Sequence, residues 1–131
     1  MGYMAKIIVG ITQGDTNGIG YEIIIKTLSD ARVLEMCTPV VYGSSKAFGF
    51  YRKQISETEN INTNVVSSAK DAHPKRVNIV NCVAENTPIE PGQQTHEGSM
   101  AAIAALERGV QELKEGLIDV LVTAPINKHT I

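Results

Sequence analysis

The stretch Ile7–Leu28, IIVGITQGDTNGIGYEIIIKTL, leaves this chain few folds to adopt. Lys6 to Thr12 is apolar and β-branched through Ile7, Ile8, Val9 and Ile11, the pattern of a buried strand. Gln13 to Gly20 is then crowded with turn formers: Gly14, Asp15, Asn17, Gly18 and Gly20. From Ile19 the spacing turns helical, with Ile24 and Ile25 four and three residues from Leu28. A glycine-rich turn between strand and helix presents backbone N–H groups at the positive end of a helix dipole, a site for phosphate or carboxylate. Gly14, Asp15, Gly18 and Gly20 are therefore candidate binding residues. The same glycines suit a tight βα turn that serves geometry alone, with Asp15 fixing the loop through backbone N–H groups. The residues leave both readings open. The spacing is neither the G-x-G-x-x-G dinucleotide fingerprint nor a P-loop, since no lysine and Ser/Thr follow the last glycine.

The rest of the chain repeats the strand–helix alternation. Pro39–Tyr42 reads as a second strand, and Ser44 or Ser45 as the cap of a helix over about 46–55. A polar loop over 56–64, a short strand at Val65–Val66 and a second polar loop over 67–74 follow. Arg76–Val83 alternates as a strand. Ala84–Gln94 holds Pro88, Pro91 and Gly92 and is irregular. A long helix starts near Thr95–Gly98. Met100, Ile103, Leu106, Val110, Leu113 and Leu117 form its apolar stripe, with the i,i+4 pair Arg108–Glu112 off that stripe and Gly116 as its stop. Ile118–Ala124 is nearly all apolar, as expected for a central parallel strand covered on both faces. This order predicts a mostly parallel sheet in a three-layer α/β/α domain. Ligands of such sheets bind beyond the carboxyl ends of strands. Thr123, Asn127 and Lys128 lie at one such end and the glycine-rich turn at another, so both are candidates to line one crevice. The alternative for Lys128 is a solvated surface lysine.

At 131 residues the chain is one domain or part of one. Its net charge of −2, with scattered Lys and Arg, argues against nucleic-acid and anionic-membrane partners. It shows no membrane-length apolar run and no signal-peptide pattern at its start, so a cytoplasmic location is expected. Cys37 and Cys82 stand in apolar segments and read as buried free thiols in a reducing cytosol, with a disulfide as the alternative. No metal ligand set is expected: His73 reads as solvated, His96 and Glu97 point apart on a helix, and His129 stands alone.

The exact strings carry more than the periodicity. Thr12, Gly14, Asp15, Gly18, Ile19, Gly20 and Glu22 match T-x-G-D-P-A-G-I-G-P-E, so the stretch resembles the 4-hydroxythreonine-4-phosphate dehydrogenase family of pyridoxal phosphate biosynthesis. Thr16, Asn17 and Tyr21 stand where Pro, Ala and Pro are usual, departures expected to loosen the turn. Val122–Lys128 (VTAPINK) is similar to the family's V-T-[AG]-P-x-[NH]-K. The resemblance implies the isocitrate/isopropylmalate dehydrogenase fold, with residues 1–131 as the N-terminal part of a longer dehydrogenase domain. It implies NAD-dependent oxidation and decarboxylation of 4-phosphohydroxy-L-threonine, a divalent metal ion and a cytoplasmic homodimer. The family's metal-binding histidines and its substrate-contacting His-Thr pair would follow Ile131, so the catalytic residues are not assigned here and the isolated chain is expected to be inactive. The alternatives are a related dehydrogenase of another phosphorylated hydroxy acid such as a 4-phosphothreonate, a non-catalytic phosphate-binding α/β module, and a non-catalytic interaction protein.

Overall fold

Three consecutive residues of the second strand, Val40, Val41 and Tyr42, have no exposed surface, yet they belong to two different cores. Successive strand residues face opposite sides, so a strand buried on both faces must have layers above and below it. The computed structural model, which describes residues 6–55, 61–84 and 87–124, shows those layers. β1 (Ile7–Thr12), α1 (Gly20–Leu28), α2 (Ala31–Met36), β2 (Cys37–Gly43), α3 (Ser45–Arg52), β3 (Thr63–Val66), β4 (Val77–Asn81), α4 (His96–Lys114) and β5 (Val120–Thr123) follow in order, with a 3-10 turn at Ala69–Asp71. The strands form one sheet in the order β3-β4-β2-β1-β5, and every neighbouring pair is parallel. One core joins Tyr21, Ile25 and Leu28 of α1 and Phe48 and Tyr51 of α3 to Val41 and Ile79. The other joins Ala105 of α4, Ala69 and Ile118 to Val40, Tyr42 and Val80. The expected three-layer α/β/α arrangement is what the chain adopts.

Several local expectations need correction. β2 begins at Cys37, not Pro39, and a further helix, α2, precedes it. Pro39 lies opposite Val9 of β1, one residue before the β4 ladder opens at Val40–Asn78. The buried Asn78 side chain donates to the Pro39 carbonyl at 3.1 Å. A proline is therefore tolerated inside an internal strand at the point where one neighbour's ladder starts. α3 ends at Arg52, and β3 starts at Thr63, inside the stretch read as loop.

α4 starts and stops as expected. Thr95 caps it, accepting from Gly98 N at 3.0 Å. Gly116 adopts φ 77°, and Leu117 N bonds Glu112 O while Gly116 N bonds Leu113 O, the pairing of a Schellman stop. Its buried face is not the expected one. Gly98, Ala101, Ala102, Ala105, Gly109 and Glu112 are buried, whereas Met100 is 49% and Leu113 38% exposed, and Ile103, Leu106 and Val110 are only half-buried. Both stripes have helical spacing. The small one lets the helix axis approach the sheet, where a Cβ on Gly109 would already lie 2.8 Å from Leu121 Cδ1.

β5 is also corrected. Among the described residues it pairs only with β1 and ends the sheet, with Val120 and Val122 exposed. Among the described residues it is an edge strand and not the covered central strand expected. The Arg108–Glu112 pair is present at 3.2 Å, but Glu112 is 2% exposed and belongs to the core side of α4.

Candidate functional site

The chain leaves β1 towards β2 through α1 and α2 on one face. It returns from β4 to β5, on the far side of β1, through α4 on the other face. The carboxyl ends of β1 and β5 thus flank a topological switch point, where open α/β sheets bind ligands. The two sequence motifs meet there. Thr12 pairs with Thr123, and Ala124 N donates to Thr12 O at 3.3 Å. A Cβ on Gly20 would lie 3.3 Å from Ala124 Cβ and 2.5 Å from the Gln13 carbonyl, so only glycine lets the helix start this close to the strand end. Gly14, Asp15, Gly18 and Gly20 occupy the turn after β1, and Thr123 closes β5 beside it. Asn127, Lys128 and His129 lie outside the described residues.

The turn is itself buried from Gln13 to Asn17, and only Gly18 and Ile19 surface. Gly14 adopts φ 73°, a left-handed conformation that side chains disfavour. The Asp15 carbonyl accepts from Gly18 N at 3.0 Å, and Asp15 Oδ1 accepts from Asn17 N at 2.8 Å. That carboxylate is 7% exposed and sits against Gly98, in the first turn of α4, where the helix dipole favours a negative charge. Two N–H groups of the turn are thereby used inside it. α1 starts at Gly20 with no side-chain cap, so the chemistry left for an anion lies in the first N–H groups of α1.

The departures from the family pattern do not loosen this turn. Thr16, Asn17 and Tyr21 are 1%, 3% and 0% exposed. Gln13, fully buried, donates from Nε2 to Thr16 Oγ1 at 2.6 Å, and Tyr21 OH donates to Gln13 Oε1 while accepting from Ser44 N at 2.9 Å. Tyr51 OH donates to the Thr16 carbonyl at 2.6 Å, and its ring stacks on Tyr21 with centroids 5.4 Å apart. Burial raises the Tyr21 phenol far above its ordinary pKa; burial, then the Asp15 charge, raises that of Tyr51. Side-chain hydrogen bonds hold the turn where prolines would hold it by fixing φ. Gln13 was not singled out from sequence; its position at a strand end, eight residues before a tyrosine, carries no recognised spacing.

Among the described residues no group of three or more His, Cys, Asp or Glu is arranged to hold a metal ion, and no helix is long and apolar enough to cross a membrane. His73 is exposed. Cys37 and Cys82 are free, and burial pushes the Cys82 thiol up to about 11. Cys82, His96 and Glu97 line a cavity of about 330 Å³ near the end of β4.

A five-stranded parallel sheet with helices on both faces is an α/β domain of the isocitrate/isopropylmalate dehydrogenase kind. Residues 35–131 match the family described as pyridoxal phosphate biosynthetic protein PdxA, and the chain belongs to that family. It is 49% identical over 126 residues to a 4-hydroxythreonine-4-phosphate dehydrogenase of Bacteroides thetaiotaomicron, covering 96% of this chain and 34% of that one. It is 31% identical over 131 residues to a Clostridium botulinum protein provisionally named a D-threonate 4-phosphate dehydrogenase, with 96% and 38% covered. The crystal structure of a 4-hydroxythreonine-4-phosphate dehydrogenase from Burkholderia phymatum superposes with a TM-score of 0.84 at 26% identity, over 97% of this chain and 38% of that one. The chain thus spans about a third of the length of the curated relatives it matches.

Proposed function

We propose that a full-length chain carrying this domain oxidises 4-phosphohydroxy-L-threonine with NAD as acceptor, the β-keto acid product then losing CO₂, in the formation of pyridoxal 5'-phosphate. The observation that carries this reading is the 49% identity to the Bacteroides enzyme, sustained over nearly the whole chain. The crevice supports it. The uncapped start of α1 at Gly20, behind the exposed residues Gly18 and Ile19, suits a substrate phosphate. The Thr123 hydroxyl lies at the neighbouring strand end, and Asn127 and Lys128 follow it in the second motif.

NAD as acceptor belongs to this reading, with the glycine-rich turn and the Thr123–Lys128 end as the substrate and cofactor crevice. The ligands of the divalent metal are assigned to the part of the family's length beyond Ile131. The homodimer and the cytoplasmic location belong to the same reading. The D-threonate 4-phosphate relative favours a second substrate, at lower identity.

The test is NAD reduction by a chain of full family length containing these 131 residues. 4-Phosphohydroxy-L-threonine and 4-phospho-D-threonate are compared, with and without chelator. Turnover of the first that chelator abolishes is expected. Turnover of the second alone would transfer the assignment, and turnover of neither would sink both readings. The 131-residue chain alone is expected to turn over neither.

A further inference from the structure

Asn17 bonds in three directions from a buried position. Its N–H donates to Asp15 within the turn. Its Nδ2 donates to Thr95 Oγ1 at 2.9 Å, and its Oδ1 accepts from Glu90 N at 2.7 Å. Its carbonyl accepts from Gly92 N at 2.9 Å. Thr95 is the residue that caps α4. One amide side chain therefore ties the glycine-rich turn to the irregular 87–95 segment and to the start of the longest helix. Two further backbone bonds near this segment, Thr87 N to Ala84 O and Gln93 N to Glu90 O, are local and do not anchor it to the sheet. Pro91 and Gly92, held in this way, face Gly18, Ile19 and Tyr51 across a cavity of about 370 Å³. The alanine usual in the family pattern would keep the backbone bond to Gly92 and supply neither side-chain bond.

We propose that Asn17 is a positioning residue: it seats the 87–95 segment beside the glycine-rich turn and so fixes one wall of the substrate crevice. The inference rests on the functional reading above for the identity of the ligand, and on the hydrogen bonds for the clamp itself. A buried amide that loses its partners leaves Glu90 N–H and the Thr95 hydroxyl to find water, and the wall loses its fixed distance from the turn.

The experiment compares the full-length protein with N17A and N17D by amide hydrogen exchange and by steady-state kinetics with 4-phosphohydroxy-L-threonine. In N17A, exchange at Glu90 and Gly92 is expected to accelerate about tenfold or more, with β1 and β2 unchanged. KM should rise about tenfold while kcat stays within about twofold, because the wall orients substrate and touches no reacting atom. In N17D the carboxylate still accepts from Glu90 N but no longer donates to Thr95, so Glu90 should stay slow. This variant also serves if N17A does not fold. Unchanged exchange at Glu90 and Gly92 in N17A would overturn the clamp. Faster exchange with unchanged KM would overturn the role in the crevice. A wild-type protein silent with this substrate would count against the functional reading, and exchange at Glu90 and Gly92 would then decide the clamp alone.

Discussion

Glu112 is a carboxylate with 2% of its surface exposed, set against one cation, Arg108, and neutral hydrogen-bond donors. Its Oε1 accepts from Tyr42 OH at 2.8 Å and from Ala69 N at 2.9 Å, and Arg108 Nε reaches Oε2 at 3.2 Å. Burial pushes its pKa up, but the Ala69 N–H, Tyr42, Ser68 and Arg108 together outweigh that, and the net shift is downward. On Tyr42 the effects add, since burial and the Glu112 carboxylate both raise the phenol. A folded pKa below the unfolded value of about 4.3 gives stability that is complete above that pH and is lost as pH falls through the folded value. E112Q should flatten the stability profile below about pH 5 and cost about 2 kcal/mol at pH 7, since its amide meets Arg108. Urea melts of both proteins from pH 7 to pH 3 check this; parallel profiles would remove the role assigned to Glu112. Nothing in an i,i+4 Arg–Glu spacing tells a solvated pair from a buried one, so the sequence places Glu112 off the apolar stripe without showing that it is buried. Asn17 was obscured in the same way: asparagine in a glycine-rich turn has a local explanation, and its partners stand 73 and 78 residues away.

α4 carries two stripes of the same period, one of large apolar residues and one of Ala and Gly. Periodicity established the helix and its ends, because Thr95 and Gly116 act locally. It did not decide the buried face, because that depends on how closely the sheet must be approached. Ala105 has no exposed surface, so A105L should destabilise by about 1–3 kcal/mol through overpacking against Val40 and Tyr42. M100A, on the exposed stripe, should stay within about 0.5 kcal/mol. Denaturant midpoints of the two variants compare the faces directly, and the reverse ranking would restore the face expected from hydrophobicity. β5 shows the same limit for strands. Val120, Leu121 and Val122 read as a covered strand, yet two of the three are exposed among the described residues. Apolar β-branched composition marks a strand without saying what lies over it.

At the scale of the molecule, the strand–helix alternation was enough to predict parallel strands in three layers. The lateral order β3-β4-β2-β1-β5 was not readable, because it depends on which neighbours each strand meets across long separations. β4, β2 and β1 each have neighbours on both sides, whereas β3 and β5 have one among the described residues. Amide exchange should therefore be slowest in β4, β2 and β1 and faster in β3 and β5. Equal protection across all five strands would mean the edges are covered in solution. The candidate crevice depends on the same order: its two motifs, more than a hundred residues apart in sequence, meet only because β5 returns to the far side of β1.

That return also sets a schedule. Ile8 N donates to the Asp119 side chain across 111 residues, and Asp119 N donates back to the Ile8 carbonyl at 2.8 Å. On a ribosome adding about 5–20 residues per second, β1 leaves the exit tunnel roughly 5–20 s before the strand that completes its pairing. During that interval β1 carries an open, apolar edge, the kind of surface that ribosome-associated chaperones shield.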